Sequence, residues 1–241
     1  MDSRFCFGMA RNARQVAEAR LLRNRVLEEE VAGALPAPLE RAADDRHAEH
    51  CELLIVADVL RDRVVGTCRI LPPEGARRAA GFRAEQRFDL QLLEVLRHRM
   101  VEVEHACIDP DYPSSPVRAL LWSALAQYLI ERGHDYVLGG ATISAADGGN
   151  AAASVYRLAC ADHLSPEDYR VFPRRRLPIE TLCDTLPVAA PSPLKGFLDM
   201  GAWVCGEPAW DVDSRCAELP ILLPLARMQG RHARTFLARA A

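Results

Sequence analysis

The sequence predicts a mixed α/β or α+β fold in a single domain with a central sheet. Three observations carry that expectation. Apolar strand patterns stand close together at 53–58 and 63–71, and strand, breaker, helix, strand and helix follow one another across 100–161. Helical periodicity flanks both regions, so helices are expected to cover the sheet. The chain has 241 residues, 49% of them hydrophobic, enough to bury a sizeable core without disulfides or metals. With 26% charged residues this is the balance of a globular protein, not of a disordered, collagen-like or coiled-coil chain.

The elements follow in order. Val16, Leu21, Leu22, Val26 and Leu27 at helical spacing make Arg11–Val31 a helix, with Gly33 beyond it and Leu35–Pro38 breaking it. Arg41–Glu52 reads as a charged surface loop with a short helix. Leu53–Asp58 and Arg63–Leu71 form a β-hairpin, and Pro72–Gly81 is a turn-rich connection. Phe88–Arg99 reads as a helix with Leu90, Leu93 and Leu96 on one side. Met100–Ile108 alternates as a strand and Asp109–Pro116 breaks it. Val117–Arg132 is a helix capped by Ser114 or Ser115, with Pro116 in its first turn and Gly133 ending it. Asp135–Thr142 is a strand, followed by a Gly-rich turn and a helix near Asn150–Ala161. The last third is less regular. It holds a loop at Pro187–Pro193, a short helix at Leu194–Met200, strands at Ala202–Cys205 and Pro220–Leu225, and a terminal helix at Met228–Ala240.

Composition narrows the function. Thirty basic against 33 acidic residues give a net charge of −3, which argues against a nucleic-acid coat, whose affinity needs surplus cations. Lys195 is the sole lysine. None of the eight cysteines forms a CxxC pair or a zinc spacing, so reduced thiols in a bacterial-type cytosol are expected, and no metal. Ala119–Ile130 is the longest apolar run, and a bilayer needs about 20 such residues. Met1–Ala10 lacks the pattern of a signal peptide, so a cytoplasmic protein is expected, with any membrane contact peripheral.

Several residues could carry chemistry. Glu102 and Glu104 share one face of their strand, opposite Val101, Val103 and His105. Two such carboxylates can act as acid and base, or can form the wet face of a half-exposed strand. His105 has an unperturbed pKa near 6.5, well placed to accept a proton. Arg69 in mid-strand is either a clamp for a carboxylate or phosphate or an outward-facing surface charge. The helix start after Ser114-Ser115-Pro116 presents unpaired N–H groups to an anion. Pro191–Asp211 combines Lys195 with Gly196, Gly201 and Gly206, and its Trp203 and Trp210 flank Glu207-Pro208.

These segments carry a resemblance. VVGTCRIL at 64–71, GF at 81–82, RFDL at 87–90, VEVEHACIDPDY at 101–112, LLW at 120–122, DYVLGGAT at 135–142 and PLKGFLDMGAWVCGEPAWD at 193–211 occur in this order. So ordered, they make the chain similar to the bacterial ornithine-lipid N-acyltransferases from about Arg20 to Leu225. These are GNAT-superfamily enzymes related in fold to acyl-homoserine-lactone synthases. The resemblance implies a GNAT-like fold: a twisted, mostly antiparallel sheet flanked by helices, with strands splayed at the acyl site. It implies one domain over 1–241 with a family-specific C-terminal subregion near 187–241. The implied reaction moves a fatty acyl group, often 3-hydroxylated, from acyl carrier protein to the α-amine of L-ornithine, giving lyso-ornithine lipid. No cofactor is implied beyond the acyl-phosphopantetheine of the carrier.

On this resemblance Glu102, Glu104 and His105 are the catalytic candidates, Glu102 first. Arg23, Arg25, Asp45, Arg69, Lys195 and Glu207 fall on substrate-binding motifs, while Cys107, Ile108, Tyr112, Ser114 and Ser115 would line the pantetheine arm. Arg174–Arg176 and the stretch holding Arg227, Arg231, Arg234 and Arg239 are expected docking faces for an acidic carrier. The second stretch could instead meet anionic lipid. The chain departs from the family pattern at three positions usually held by arginine, here His105, Pro113 and Asp199. Two other readings therefore stay open: a synthase using another acceptor, lactone-forming enzymes included, and a non-catalytic acyl-carrier-binding relative.

Overall fold

The computed structural model describes residues 4–33, 46–112 and 116–228, leaving aside the side chains of residues 27–33, His105, Ser192 and Pro193. In chain order the elements are β1 (Phe5–Met9), α1 (Ala13–Gly33), β2 (Glu52–Asp58), β3 (Arg63–Leu71), α2 (Pro73–Arg78), β4 (Phe88–Asp89) and β5 (Met100–Ile108). There follow α3 (Val117–Arg132), β6 (Tyr136–Ser144), α4 (Asn150–His163), β7 (Phe172–Pro173), α5 (Ser192–Asp199), β8 (Trp203–Val204), β9 (Ala209–Asp211) and β10 (Cys216–Pro224).

The main sheet runs β1-β2-β3-β5-β6-β10-β8, with β9 also paired to β10. Every pairing in it is antiparallel except β5 with β6, which α3 joins as a crossover. This is the mixed, mostly antiparallel sheet flanked by helices that the sequence led us to expect.

Strand alternation sorts the side chains to two faces. On one, Val56, Ile70, Val101, Val103 and Ile221 pack with Leu121 and Leu125 of α3, Val155 of α4 and Phe197 of α5. On the other, Leu71, Met100, Leu138 and Leu222 pack with Phe82, Phe88 and Leu93. The segment between β3 and β5 therefore folds over the second face. Gly66 has a structural role: a Cβ there would lie 2.8 Å from Val117, so the glycine lets the start of α3 settle onto β3.

Some elements differ from expectation. Phe88–Arg99 is not one α-helix. Its first two residues pair with β7, and a 3₁₀ helix then runs over Gln91–Arg99. The Asp89 carboxylate accepts the Gln91 N–H at 2.9 Å, and this local turn competes with an α-helical start. The residue preceding α3 is Pro116, with no side-chain cap. Ser114 and Ser115 lie outside the described residues, as do Asp45 and the C-terminal stretch from 229 on. Gly133 ends α3 as expected, in the left-handed conformation at φ +70°. β1 was not foreseen, and β10 begins at Cys216, four residues before the expected strand. Among the described residues no helix is long and apolar enough to cross a membrane.

Candidate active site

β5 and β6 form a fork. Their pairing covers Met100↔Tyr136, Val101↔Val137 and Glu102↔Leu138, and β5 continues to Ile108 with no further pairing to β6. On its other side β5 carries a bulge: Thr67 faces Cys107 and Arg69 faces Glu104, so His105 and Ala106 together oppose Cys68. The bulge re-aims the backbone just beyond the point where β6 departs. Two glycines of β6 line the opening. A Cβ at Gly139 would lie 3.5 Å from the Val103 carbonyl oxygen and 3.6 Å from the Phe197 ring. A Cβ at Gly140 would lie 2.2 Å from Glu218 Oε1.

Charged side chains gather on the sheet face covered by the β3–β5 segment. Counting by two from Met100, Leu71, Leu138 and Leu222 places Glu102, Glu104, Arg69, Gly140 and Glu218 on that face. The wet-face alternative for the two glutamates does not hold. Glu102 is buried, and its carboxylate accepts the backbone N–H groups of Arg83 at 2.6 Å and Ala84 at 2.8 Å. Burial, with the neighbouring Glu104 charge second, pushes its carboxyl up to about 8, against the pull of those two N–H groups. Glu104 pairs with Arg69 at 2.8 Å and Arg83 at 3.2 Å, and Arg69 is itself buried. Glu218 pairs with Arg87, and burial raises its carboxyl above the usual range despite Arg87 and Arg83. Arg83, Arg87 and Glu218 escaped the sequence reading. The available signal was the Gly139-Gly140 pair inside a strand, which marks close approach by another group.

The remaining expected positions scatter. The His105 side chain lies outside the described residues. Cys107 is buried and Ile108 half-buried at the end of β5. Tyr112 is a core residue. Its hydroxyl donates to Asp58 at 2.9 Å and its ring meets Phe5, because the turn from Asp109 to Tyr112 folds it inward. Arg25 reaches the buried Asp109 at 2.6 Å, and Arg63 joins it, so this arginine pins α1 to the end of β5. Arg23 is half-buried on the same helix.

Lys195 pairs with Asp199 at 2.9 Å on the exposed side of α5, one helical turn apart. Glu207 meets Arg176 at 3.3 Å and lines a cavity of about 860 Å³ beside Tyr156 and Arg157 of α4. Arg174 donates to the Glu85 carbonyl, Arg175 lies over Trp210 and Arg227 lies over Trp203. Arg231, Arg234 and Arg239 lie outside the described residues.

The mixed sheet, with its parallel fork and the bulge on β5, is the GNAT-like acyltransferase fold. In agreement, a family model described as an acetyltransferase (GNAT) domain matches residues 22–123. Two CoA-dependent acyl-homoserine lactone synthases share the fold. BjaI with SAM and isopentyl-CoA gives a TM-score of 0.52 at 14% identity, covering 98% of this chain and 89% of that one. MesI gives 0.51 at 12%, covering 96% and 95%.

The chain is homologous to proteins named L-ornithine N(alpha)-acyltransferase. The one from Brucella abortus is 28% identical over 96% of this chain and 88% of its own length. The one from Rhodobacter capsulatus is 28% identical over 96% and 94%, and that from Rhizobium meliloti 29% over 96% and 84%.

Proposed function

We propose that this protein acylates the α-amine of L-ornithine, taking a 3-hydroxyacyl group from the phosphopantetheine of acyl carrier protein. The carrying observation is Glu102, a carboxyl raised to about 8 at the residue where β5 and β6 part. The acceptor follows from the whole-chain likeness to the ornithine acyltransferases.

An α-ammonium has an ordinary pKa of about 7.7–8.0, so a carboxyl that burial raises well above the usual carboxylate range is a better proton acceptor for it than an ordinary one. In the proposed step the thioester lies in the fork, with its carbonyl oxygen toward N–H groups on the edge of β5 that β6 has left. Glu102 takes the ammonium proton, directly or through water, and the free amine attacks the carbonyl carbon. The C–N bond forms, the nitrogen gives up its second proton to solvent, the C–S bond breaks, and the thiolate leaves with the proton returned from Glu102. In this reading Arg69 and Arg83, which also pair with Glu104, receive the acceptor carboxylate. Family arginines are replaced at His105, Pro113 and Asp199. Asp199 forms the exposed pair with Lys195.

Purified protein incubated with 3-hydroxyacyl carrier protein and L-ornithine, with products read by mass spectrometry, tests the reading. Nα-acylornithine is the expected product, and a parallel reaction with acyl-CoA tests the donor. Acylation of another amine in place of ornithine, or no product at all, would contradict it.

A further inference from the structure

We infer that Glu218 selects a diamino acid over a simple amino acid by receiving the acceptor's side-chain ammonium. The inference rests on the acceptor reading above and assigns a partner to the other end of the same acceptor.

Three features point there. The first is place. Glu218 sits on β10 opposite Thr142 of β6, yet its Oε1 occupies the space above Gly140, 2.2 Å from where a Cβ would stand. Its carboxylate therefore lies over β6, two residues past the last pairing with β5. The second is reach. Neighbouring strands lie about 4.8 Å apart, so the carboxylate has already crossed one strand spacing toward Glu102. The two amines of an α,δ-diamino acid are five bonds apart, roughly 6 Å with bonds of about 1.5 Å. An acceptor whose α-amine meets Glu102 can then bring its side-chain amine to Glu218.

The third feature is charge. Glu104 is matched by Arg69 and Arg83, and Glu102 by two backbone N–H groups. Glu218 is matched by Arg87, a half-exposed arginine that also stands 3.8 Å from Asp211. An incoming ammonium can replace Arg87 at Glu218 while Arg87 keeps Asp211. The competing account makes Glu218–Arg87 a fastening between β10 and the segment after β3, with no bearing on the acceptor.

The experiment compares kcat/KM for L-ornithine and L-norvaline, which has the same carbon skeleton without the second amine. It uses wild type, Glu218→Gln and Gly140→Ala. Glu218→Gln is expected to lower the ornithine-to-norvaline ratio at least tenfold, chiefly by raising KM for ornithine. Gly140→Ala, which displaces the carboxylate without removing it, is expected to lower the ratio in the same direction. It also decides the matter if Glu218→Gln does not fold. Wild-type ratios in the folded variants would overturn the inference. A wild-type protein that acylates neither amino acid would overturn the acceptor reading itself, a result distinct from an unchanged ratio.

Discussion

Glu102 combines two properties that oppose each other. Two backbone N–H groups hold its carboxylate in place, while burial and the charge of Glu104 make ionisation costly. The first fixes direction and the second sets proton affinity, which is what an acceptor of an ammonium proton requires. Glu104 has a different part. Its carboxylate faces Arg69 and Arg83, and both Arg69 and Glu104 are largely withdrawn from water. Removing one partner of such a pair costs on the order of 3–5 kcal/mol. Glu104→Gln is therefore expected to lower the melting temperature by about 10 °C, at roughly 2–4 °C per kcal/mol for a chain of this size. Thermal melts of the two glutamine variants check this, with Glu102→Gln the more stable. At this scale the sequence was informative only in part. The positions of Arg69, Glu102 and Glu104 on strands were legible from alternation. Their partners Arg83, Arg87 and Glu218 were not, because they come from a covering segment and from a strand beyond β6, and periodicity carries no information about which segment covers a face.

Among the elements, α5 places Phe197 at the fork on the side opposite the charged cluster. Its ring meets Gly139 of β6 and stands edge-on to Trp122 of α3, with ring centroids 5.0 Å apart. On the proposed reading an acyl chain passing between β5 and β6 would enter the core beside this ring. Phe197→Leu is expected to shift the preferred donor toward longer acyl chains, with a stability loss of about 1–3 kcal/mol. The measurement is kcat/KM over a ladder of acyl lengths, and an unchanged profile would count against this path. The helices and the hairpin could be read from the sequence because their apolar spacing is local. Both ends of β10 show why other elements could not. Pro220–Leu225 reads as a strand, whereas Cys216–Leu219 contains a charged residue that looks like loop until Arg87 is seen to meet it. The tail motif divides in the fold. Lys195 and Glu207 stand close together in sequence, but one lies on the exposed side of α5 and the other beside the α4 cavity.

For the molecule as a whole, two buried carboxyls tilt stability with pH in opposite senses. Asp58, held down to about 2 chiefly by its hydrogen bonds from Arg4, contributes stability present above its ordinary 3.8 and lost as pH falls through 2. Glu102 is the reverse. Its raised carboxyl contributes stability that is full below 4.5 and lost as pH rises through about 8. Wild-type melting temperature should therefore decline from about pH 5 to pH 8, and Glu102→Gln should lack that part of the decline. Melts across this range check the sign. The same variant tests the central claim, that acyl transfer takes place where β5 and β6 part with Glu102 as proton acceptor. The measurement is the single-turnover rate of acyl transfer at saturating ornithine for wild type and Glu102→Gln. A loss of about 10²–10⁴-fold in a folded variant is the predicted result. Transfer at the wild-type rate would contradict the account.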